Sequence, residues 1–137
     1  MREGWCNDRY LVLFDELEIE EATRAYLAGG ELSGYAVVGL DFWDDLIVRD
    51  GAGSAFTVPA VPVDAVHLTP TTLRAGVTLS PDSRFTGKVK WYIKPLIFGG
   101  DPQDNSNIAW VSHEQHRQAV SWWNQKYREI KGNGNAA

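Results

Sequence analysis

Cysteine and long apolar runs are scarce in this sequence. It has one cysteine, Cys6, among 137 residues, so an internal disulfide is excluded and a reducing compartment is favoured. No segment approaches the roughly 18 consecutive apolar residues of a membrane span. Residues 1–10 also lack the apolar segment of a secretory signal. These absences predict a cytoplasmic protein that does not insert into a membrane.

Basic residues are also in the minority. The sequence has 13 Lys and Arg against 18 Asp and Glu, which gives a formal net charge of −5. Proteins that bind nucleic acid or anionic membranes do so with clustered Lys and Arg, so we expect neither partner here. The length and the 44% share of hydrophobic residues are typical of one globular domain. We predict that domain over residues 1–131 and a disordered polar tail over residues 132–137.

Short apolar runs bounded by turn residues predict a sheet. The predicted strands are residues 9–14, 34–40, 45–49 and 54–58, with a further kinked strand within 88–98. Asp50-Gly51 separates the third strand from the fourth and is a strong hairpin signal, so the sheet is expected to be mostly antiparallel. No strand is predicted before residue 9, and residues 71–87 are predicted as loop with one short strand at 77–79.

Two helices are predicted around this sheet. Residues 18–28 have acidic side chains in the first turn and apolar residues at helical spacing. A longer C-terminal helix starts at a capping box of Ser112 and Gln115. Its apolar stripe is predicted to contain Ala119, Val120, Trp123, Tyr127 and Ile130. The expected fold is therefore a single α+β domain, with an N-terminal helix and a long C-terminal helix packed on a mostly antiparallel sheet.

Two segments carry groups that ligate metals, but neither has a complete ligand pattern. His113 and His116 are three residues apart rather than four, and no third ligand accompanies them. The loop 101–107 is rich in oxygen, but it lacks the glycine and the closing glutamate of an EF-hand. Its side chains are predicted to bond their own backbone in turns. We expect no bound metal.

Templates for catalysis are missing as well. No serine lies in a G-x-S-x-G elbow, and no glycine pair continues into a phosphate-binding loop. Cys6 has no basic cluster beside it that would activate a thiol. These observations favour a binding protein over an enzyme, with no cofactor.

The segment Asp41-Phe42-Trp43-Asp44-Asp45 places three carboxylates beside two aromatic rings. It can be a solvated turn between strands, an acidic and aromatic patch for a basic partner, or the carboxylate pair of a small hydrolase. In a partner patch, the rings would bury apolar area against the partner, and the charges would steer a basic partner toward the patch. Trp122 lies about 100° from Trp123 on the C-terminal helix and is predicted to face solvent or a partner. The predicted partner-binding residues are Asp41, Phe42, Trp43, Asp44, Asp45 and Trp122.

Two parts of the chain together resemble a known family. The first is the run Tyr10 to Asp15, an acidic helix, and the segment Leu32 to Gly39. The second is KPLIFGGDP from Lys94, followed by Asn107, the segment Ser112 to His116, and Trp122-Trp123-Asn124. Together these motifs are similar to those of the SUKH superfamily of bacterial toxin-immunity proteins. Ser33 stands where that superfamily usually has proline, and residues 41–45 replace its glycine-rich run.

The resemblance implies an α+β module that binds a cognate protein without catalysis. The implied function is that of an immunity protein, which neutralises a secreted toxin of a polymorphic toxin system or a secretion-system effector by stoichiometric binding. An acidic patch would suit a toxin with a basic active-site cleft, such as a nuclease. The alternatives are a binding or regulatory module for another ligand and, in third place, a hydrolase that uses Asp41, Asp44 and Asp45.

Overall fold

Six strands form one antiparallel sheet in which neighbours in the sequence are neighbours in space. The structure is a computed structural model, which describes residues 1–73 and 76–135. The sheet order follows the chain: β1 (Arg2–Cys6), β2 (Arg9–Leu13), β3 (Ala36–Asp41), β4 (Asp45–Arg49), β5 (Ala55–Pro59) and β6 (Thr69–Thr71). A separate antiparallel hairpin contains β7 (Val89–Tyr92) and β8 (Ile108–Val111). The helices are α1 (Glu16–Tyr26) and α2 (His113–Asn135). The predicted α+β fold class is confirmed.

Capping boxes begin both helices. The Asp15 carboxylate accepts a bond from the Glu18 N–H at 2.9 Å, and the Glu18 carboxylate accepts one from the Asp15 N–H at 2.9 Å. At α2 the Gln115 N–H donates to the Ser112 hydroxyl at 3.1 Å, and the Ser112 N–H donates to the Gln115 side chain at 3.0 Å. Each reciprocal pair satisfies backbone donors that a helix start leaves unpaired. The capping box predicted for α2 is thus confirmed.

The core lies between the large sheet and the two helices. Strands β2 to β5 and helix α1 supply most of it, because alternate strand residues point to one face of the sheet. The fully buried members include Tyr10, Val12, Ala22, Tyr26, Val37, Leu40, Leu46, Val48, Val58 and Val120. Helix α1 packs on β3, while α2 packs chiefly on α1 and β7.

The inward face of α2 differs from the predicted stripe. Its fully buried residues are His116, Val120 and Asn124, which recur at a spacing of four. Ile130 is 58% exposed, and Trp123 is only half-buried. The polar residues His116 and Asn124 are therefore inside, whereas Trp123 and Ile130 of the predicted stripe are partly exposed. They can be buried because each has a hydrogen-bond partner in the fold.

Several strands also differ from the predictions. β1 forms although its residues show no clear alternation, because it pairs with β2 and its Trp5 joins a ring cluster. A bridge at Ser80 replaces the predicted strand at 77–79, with Trp5 N–H donating to the Ser80 carbonyl at 2.8 Å. Gly4 permits this approach, since a Cβ there would lie 2.6 Å from the Ser80 backbone. β6 and β8 were not predicted either.

At the C-terminus, α2 continues to Asn135, whereas the sequence predicted a disordered tail from residue 132. Residues 136 and 137 of that tail lie outside the described residues. Within residues 1–73 and 76–135, no helix combines the length and the apolar character needed to cross a membrane.

Candidate partner-binding face

The predicted acidic and aromatic segment forms the tight turn between β3 and β4. Asp41 and Asp45 face each other across the end of this hairpin. Between them, Phe42 and Trp43 adopt left-handed backbone angles, with φ of 51° and 62°. Such angles cost about 1–2 kcal/mol for each residue that is not glycine. The Phe42 N–H donates to the Tyr10 carbonyl at 2.8 Å, which anchors the turn to β2.

This turn corrects the predicted position of Trp43. Its ring was predicted to lie at the surface as a partner anchor, but the residue is only 4% exposed. The ring stacks on Tyr10 with centroids 4.8 Å apart and contacts Phe85 and Trp110 edge-on at 5.1 and 5.0 Å. The left-handed turn directs this ring inward, where the ring contacts offset the backbone strain. Phe42 remains half-buried beside it.

The carboxylates of the segment lie together along a surface groove. Asp41, Asp44 and Asp45 line it with Asp8, Arg9 and Phe42, and we call these six residues the acidic groove. Arg9 Nε bonds Asp41 at 2.6 Å, and Lys90 Nζ lies 3.1 Å from Asp44.

Asp45 differs from the other two carboxylates, because it has no ion pair among the described residues. Burial raises the pKa of Asp45, and the charges of Asp41 and Asp44 raise it further. The groove therefore holds more negative charge than its own cations balance, which suits a cationic group from another molecule.

A cavity of about 120 Å³ lies next to the groove. Asp44 borders both of them. The cavity walls come from the turn, from the segment after β5, from β7 and the loop that follows it, and from α2. His116 lines the cavity from α2, and its Nδ1 lies 2.5 Å from the Tyr26 hydroxyl. We call this space the central cavity.

Beyond the central cavity lies an exposed apolar surface. Ile93, Leu96 and Ile97 are each about half exposed, at 52%, 47% and 49%, in the loop after β7. Phe98 continues this surface to α2, since its ring lies 4.8 Å from Trp123, which in turn contacts Trp122 at 4.9 Å. Trp122 is 51% exposed. We call this set the apolar ridge: Ile93, Leu96, Ile97, Phe98, Trp122 and Trp123.

The glycine and asparagine residues of the KPLIFGGDP motif shape the loop that carries the ridge. Gly99 has a φ of 91° and ends a single 3₁₀ turn over Leu96–Phe98. Gly100 passes so close to Lys94 that a Cβ would lie 1.8 Å from the Lys94 carbonyl oxygen. Asn107 bonds the Lys94 backbone twice, accepting from its N–H at 2.7 Å and donating to its carbonyl at 3.0 Å. The motif thus fixes the loop that exposes Leu96 and Ile97.

The acidic groove, the central cavity and the apolar ridge are contiguous. Asp44 belongs to the groove and the cavity wall, and Leu96 belongs to the cavity wall and the ridge. Four of the six predicted partner-binding residues lie in the groove, Trp122 lies on the ridge, and Trp43 is buried in the core beside the central cavity. Leu96, Ile97 and Lys90 were not predicted to bind a partner, because the alternating and then apolar run 88–98 indicated only a strand.

The segments considered for metals have other partners in the structure. Asp101 accepts a bond from the Gln103 N–H at 2.8 Å, and Asp104 accepts one from the Ser106 N–H at 2.9 Å, which confirms the predicted turns. Across residues 1–73 and 76–135, no three His, Cys, Asp or Glu side chains meet in a group that could hold a metal ion.

Comparisons of the chain with family models, with curated proteins and with solved structures give no match.

Proposed function

We propose that this chain is a cytoplasmic immunity protein, which binds a secreted bacterial toxin stoichiometrically and thereby neutralises it. The observation that carries the proposal is the continuous face in which an exposed apolar ridge meets an under-neutralised acidic groove. The sequence resemblance to the SUKH superfamily supports the same function.

The apolar ridge has the properties of an interface centre. Large exposed apolar patches on a monomer mark surfaces that bind other molecules, and tryptophan is enriched among residues that dominate binding energy. Trp122 also has the Lys126 ammonium 5.3 Å from its ring centroid. This is a cation–π distance, and 51% of the Trp122 surface stays exposed for a partner.

The acidic groove supplies charge complementarity toward a cationic partner. Asp45 has no ion pair of its own in the described structure, and its pKa is raised by burial and by Asp41 and Asp44. A lysine or arginine of a partner would relieve this repulsion on binding. The whole chain carries a net charge of −5, which steers a basic protein toward it. A toxin with a basic active-site cleft, such as a nuclease, is the partner that this face suits.

The test is rescue of a host from a toxin. A candidate toxin, taken from proteins encoded beside this chain, is expressed in a bacterial host with and without the chain, and growth is measured. Rescue together with a 1:1 complex of the purified proteins is the expected result. If the chain leaves toxicity unchanged and forms no complex with that toxin, the proposed function is wrong.

Variants locate the binding surface. Trp122→Ala should weaken binding by more than about 1 kcal/mol. Asp45→Lys should slow association and reduce its dependence on salt. Asp45 is preferred over Asp44 for this change, because a lysine at position 44 would face Lys90. Leu17→Ala is the matched control, since Leu17 is exposed and lines neither the groove nor the cavity. If all three variants bind like the parent, the partner contacts another surface.

A further inference from the structure

The large sheet ends at β1 and β6, and both of these edges are protected against pairing with another chain. At β1, the Trp5 N–H donates to the Ser80 carbonyl at 2.8 Å, and the Ser80 N–H donates to the Trp5 carbonyl at 2.9 Å. At the other edge, β6 has three residues with Pro70 at its centre, and proline has no N–H to donate. A covering segment and an edge proline are both devices that prevent strand addition.

The β7–β8 hairpin, in contrast, leaves the outer edge of β8 open. Opposite residues in an antiparallel hairpin alternate between pairs that exchange hydrogen bonds and pairs that do not. The Ile93 N–H donates to the Asn107 carbonyl at 2.8 Å, so this pair is a bonded one. Lys90 and Trp110 form the third pair further along, and the Trp110 N–H and carbonyl therefore point away from β7. Among residues 1–73 and 76–135, no hydrogen bond from outside the hairpin reaches them.

The side chain of Trp110 is also accessible at this edge. Phe85 stacks on the ring with centroids 5.0 Å apart, and Trp43 contacts it edge-on at the same distance. These contacts cover part of the ring, but Trp110 remains 42% exposed. Directly opposite residues of neighbouring strands place their side chains on the same face of a sheet. A residue that pairs with the Trp110 backbone would therefore place its side chain beside the Trp110 ring.

The segment that contains β8 carries charge of one sign. Residues 101–116 include Asp101, Asp104 and Glu114, which are all exposed, and they include no lysine or arginine. Asp101 and Asp104 precede β8 and Glu114 follows it, so acidic residues flank both ends of the strand in the chain. A basic segment complements these charges, whereas an acidic segment would be repelled.

We propose that β8 is the edge to which the toxin adds an extended, basic segment as a further strand. The added strand exchanges hydrogen bonds with the Trp110 N–H and carbonyl, and one of its side chains packs on the exposed part of the Trp110 ring. The edge is continuous with the apolar ridge, because Ile93 of the ridge bonds Asn107, the residue before β8. This inference rests on the proposed function, since it states how the toxin is held.

Amide hydrogen exchange measures this contact, in the free chain and in its 1:1 complex with the candidate toxin of the rescue test. The Trp110 amide should exchange fast in the free chain and at least about tenfold more slowly in the complex. The Ala109 amide is the internal control, because it bonds Trp91 across the hairpin in both states, and its exchange should slow less. Unchanged exchange at Trp110 in an intact complex, or equal slowing of both amides, overturns this inference and leaves the proposed function standing. The absence of any complex overturns both.

Two variants separate the main-chain bond from the ring. Trp110→Ala and Trp110→Pro both lose the ring, but only the proline variant also loses the outward N–H. Trp110→Ala should weaken toxin binding at least about fivefold, and Trp110→Pro should weaken it about tenfold more, or ~1.4 kcal/mol. Melting temperatures verify that both variants are folded, and hydrogen exchange of the parent decides the matter if the proline variant is not. Equal binding by two folded variants overturns the added strand.

Discussion

Acidification should destabilise this protein through His116, which is 0% exposed on the inner face of α2. Its ring lies 5.5 Å from Trp91 and holds the Tyr26 hydroxyl at Nδ1. Burial lowers the pKa of His116 from its model-peptide value of 6.5 to about 3, and the charges of His113 and Arg117 act in the same direction. The folded protein therefore keeps this imidazole neutral at a pH where the unfolded chain protonates it.

The sign and size of the effect follow from linkage. Below about pH 6.5, His116 binds a proton in the unfolded state but not in the folded state. The free energy of unfolding therefore falls as the pH falls. With a folded pKa of about 3, the loss that is due to His116 is ~2 kcal/mol between about pH 7.5 and pH 5. The loss continues toward the folded pKa and then levels off.

Urea unfolding followed by tryptophan fluorescence at a series of pH values measures this loss. His116→Gln is the comparison, because glutamine can still bond Tyr26 but does not titrate. Other groups titrate in both proteins; Asp45, whose pKa is raised by burial, acts in the opposite direction. Taking the difference between parent and variant removes these shared contributions. The free energy of unfolding of the parent, relative to that of His116→Gln, should fall by ~2 kcal/mol from about pH 7.5 to pH 5. A gap that stays constant over this range would refute the reasoning.

Four further outcomes are expected. Asn124→Ala should lower the free energy of unfolding by about 2–5 kcal/mol, because it leaves the Val63 N–H and the Ala60 carbonyl unpaired. The control Gln125→Ala should stay within about 0.5 kcal/mol of the parent. Similar urea midpoints for the two variants would contradict this prediction. Trp122→Ala should leave stability within about 0.5 kcal/mol in the same assay, since the ring is exposed. Asp45→Asn should raise stability at neutral pH by up to about 1 kcal/mol, and the gain should vanish in acid, where the parent carboxylate becomes neutral. Excess EDTA should leave the melting temperature unchanged, and a fall that added calcium or zinc reverses would show a metal site.

The importance of Asn124 illustrates where sequence patterns fail. Its amide accepts a bond from the Val63 N–H at 2.8 Å and donates to the Ala60 and Val120 carbonyls at 2.7 and 3.0 Å. Helical spacing from Val120 places it on the inner face of α2, but the predicted apolar stripe did not include it. Only the position of the chain after β5, more than sixty residues earlier, makes burial of this amide favourable.

The candidate partner-binding face also combines features that the sequence predicted with features that it did not. Residues 41–45 and Trp122 could be predicted as partner-binding residues because charged and aromatic residue types are read directly from the sequence. It did not separate Phe42 from Trp43, since the left-handed angles that bury one ring are selected by contacts with Tyr10 on another strand. It also did not show that Leu96 and Ile97 are exposed, because an apolar run normally predicts burial.

The sequence by itself determined the elements whose signals are local. The capping box at Ser112, the hairpin at Asp50-Gly51 and the α+β class all follow from interactions between residues close in the chain. The tertiary structure alone decided the pairing of β1, the burial of Trp43, His116 and Asn124, and the joining of groove, cavity and ridge into one face. These features depend on contacts between residues distant in sequence, and such contacts form only when the whole core packs.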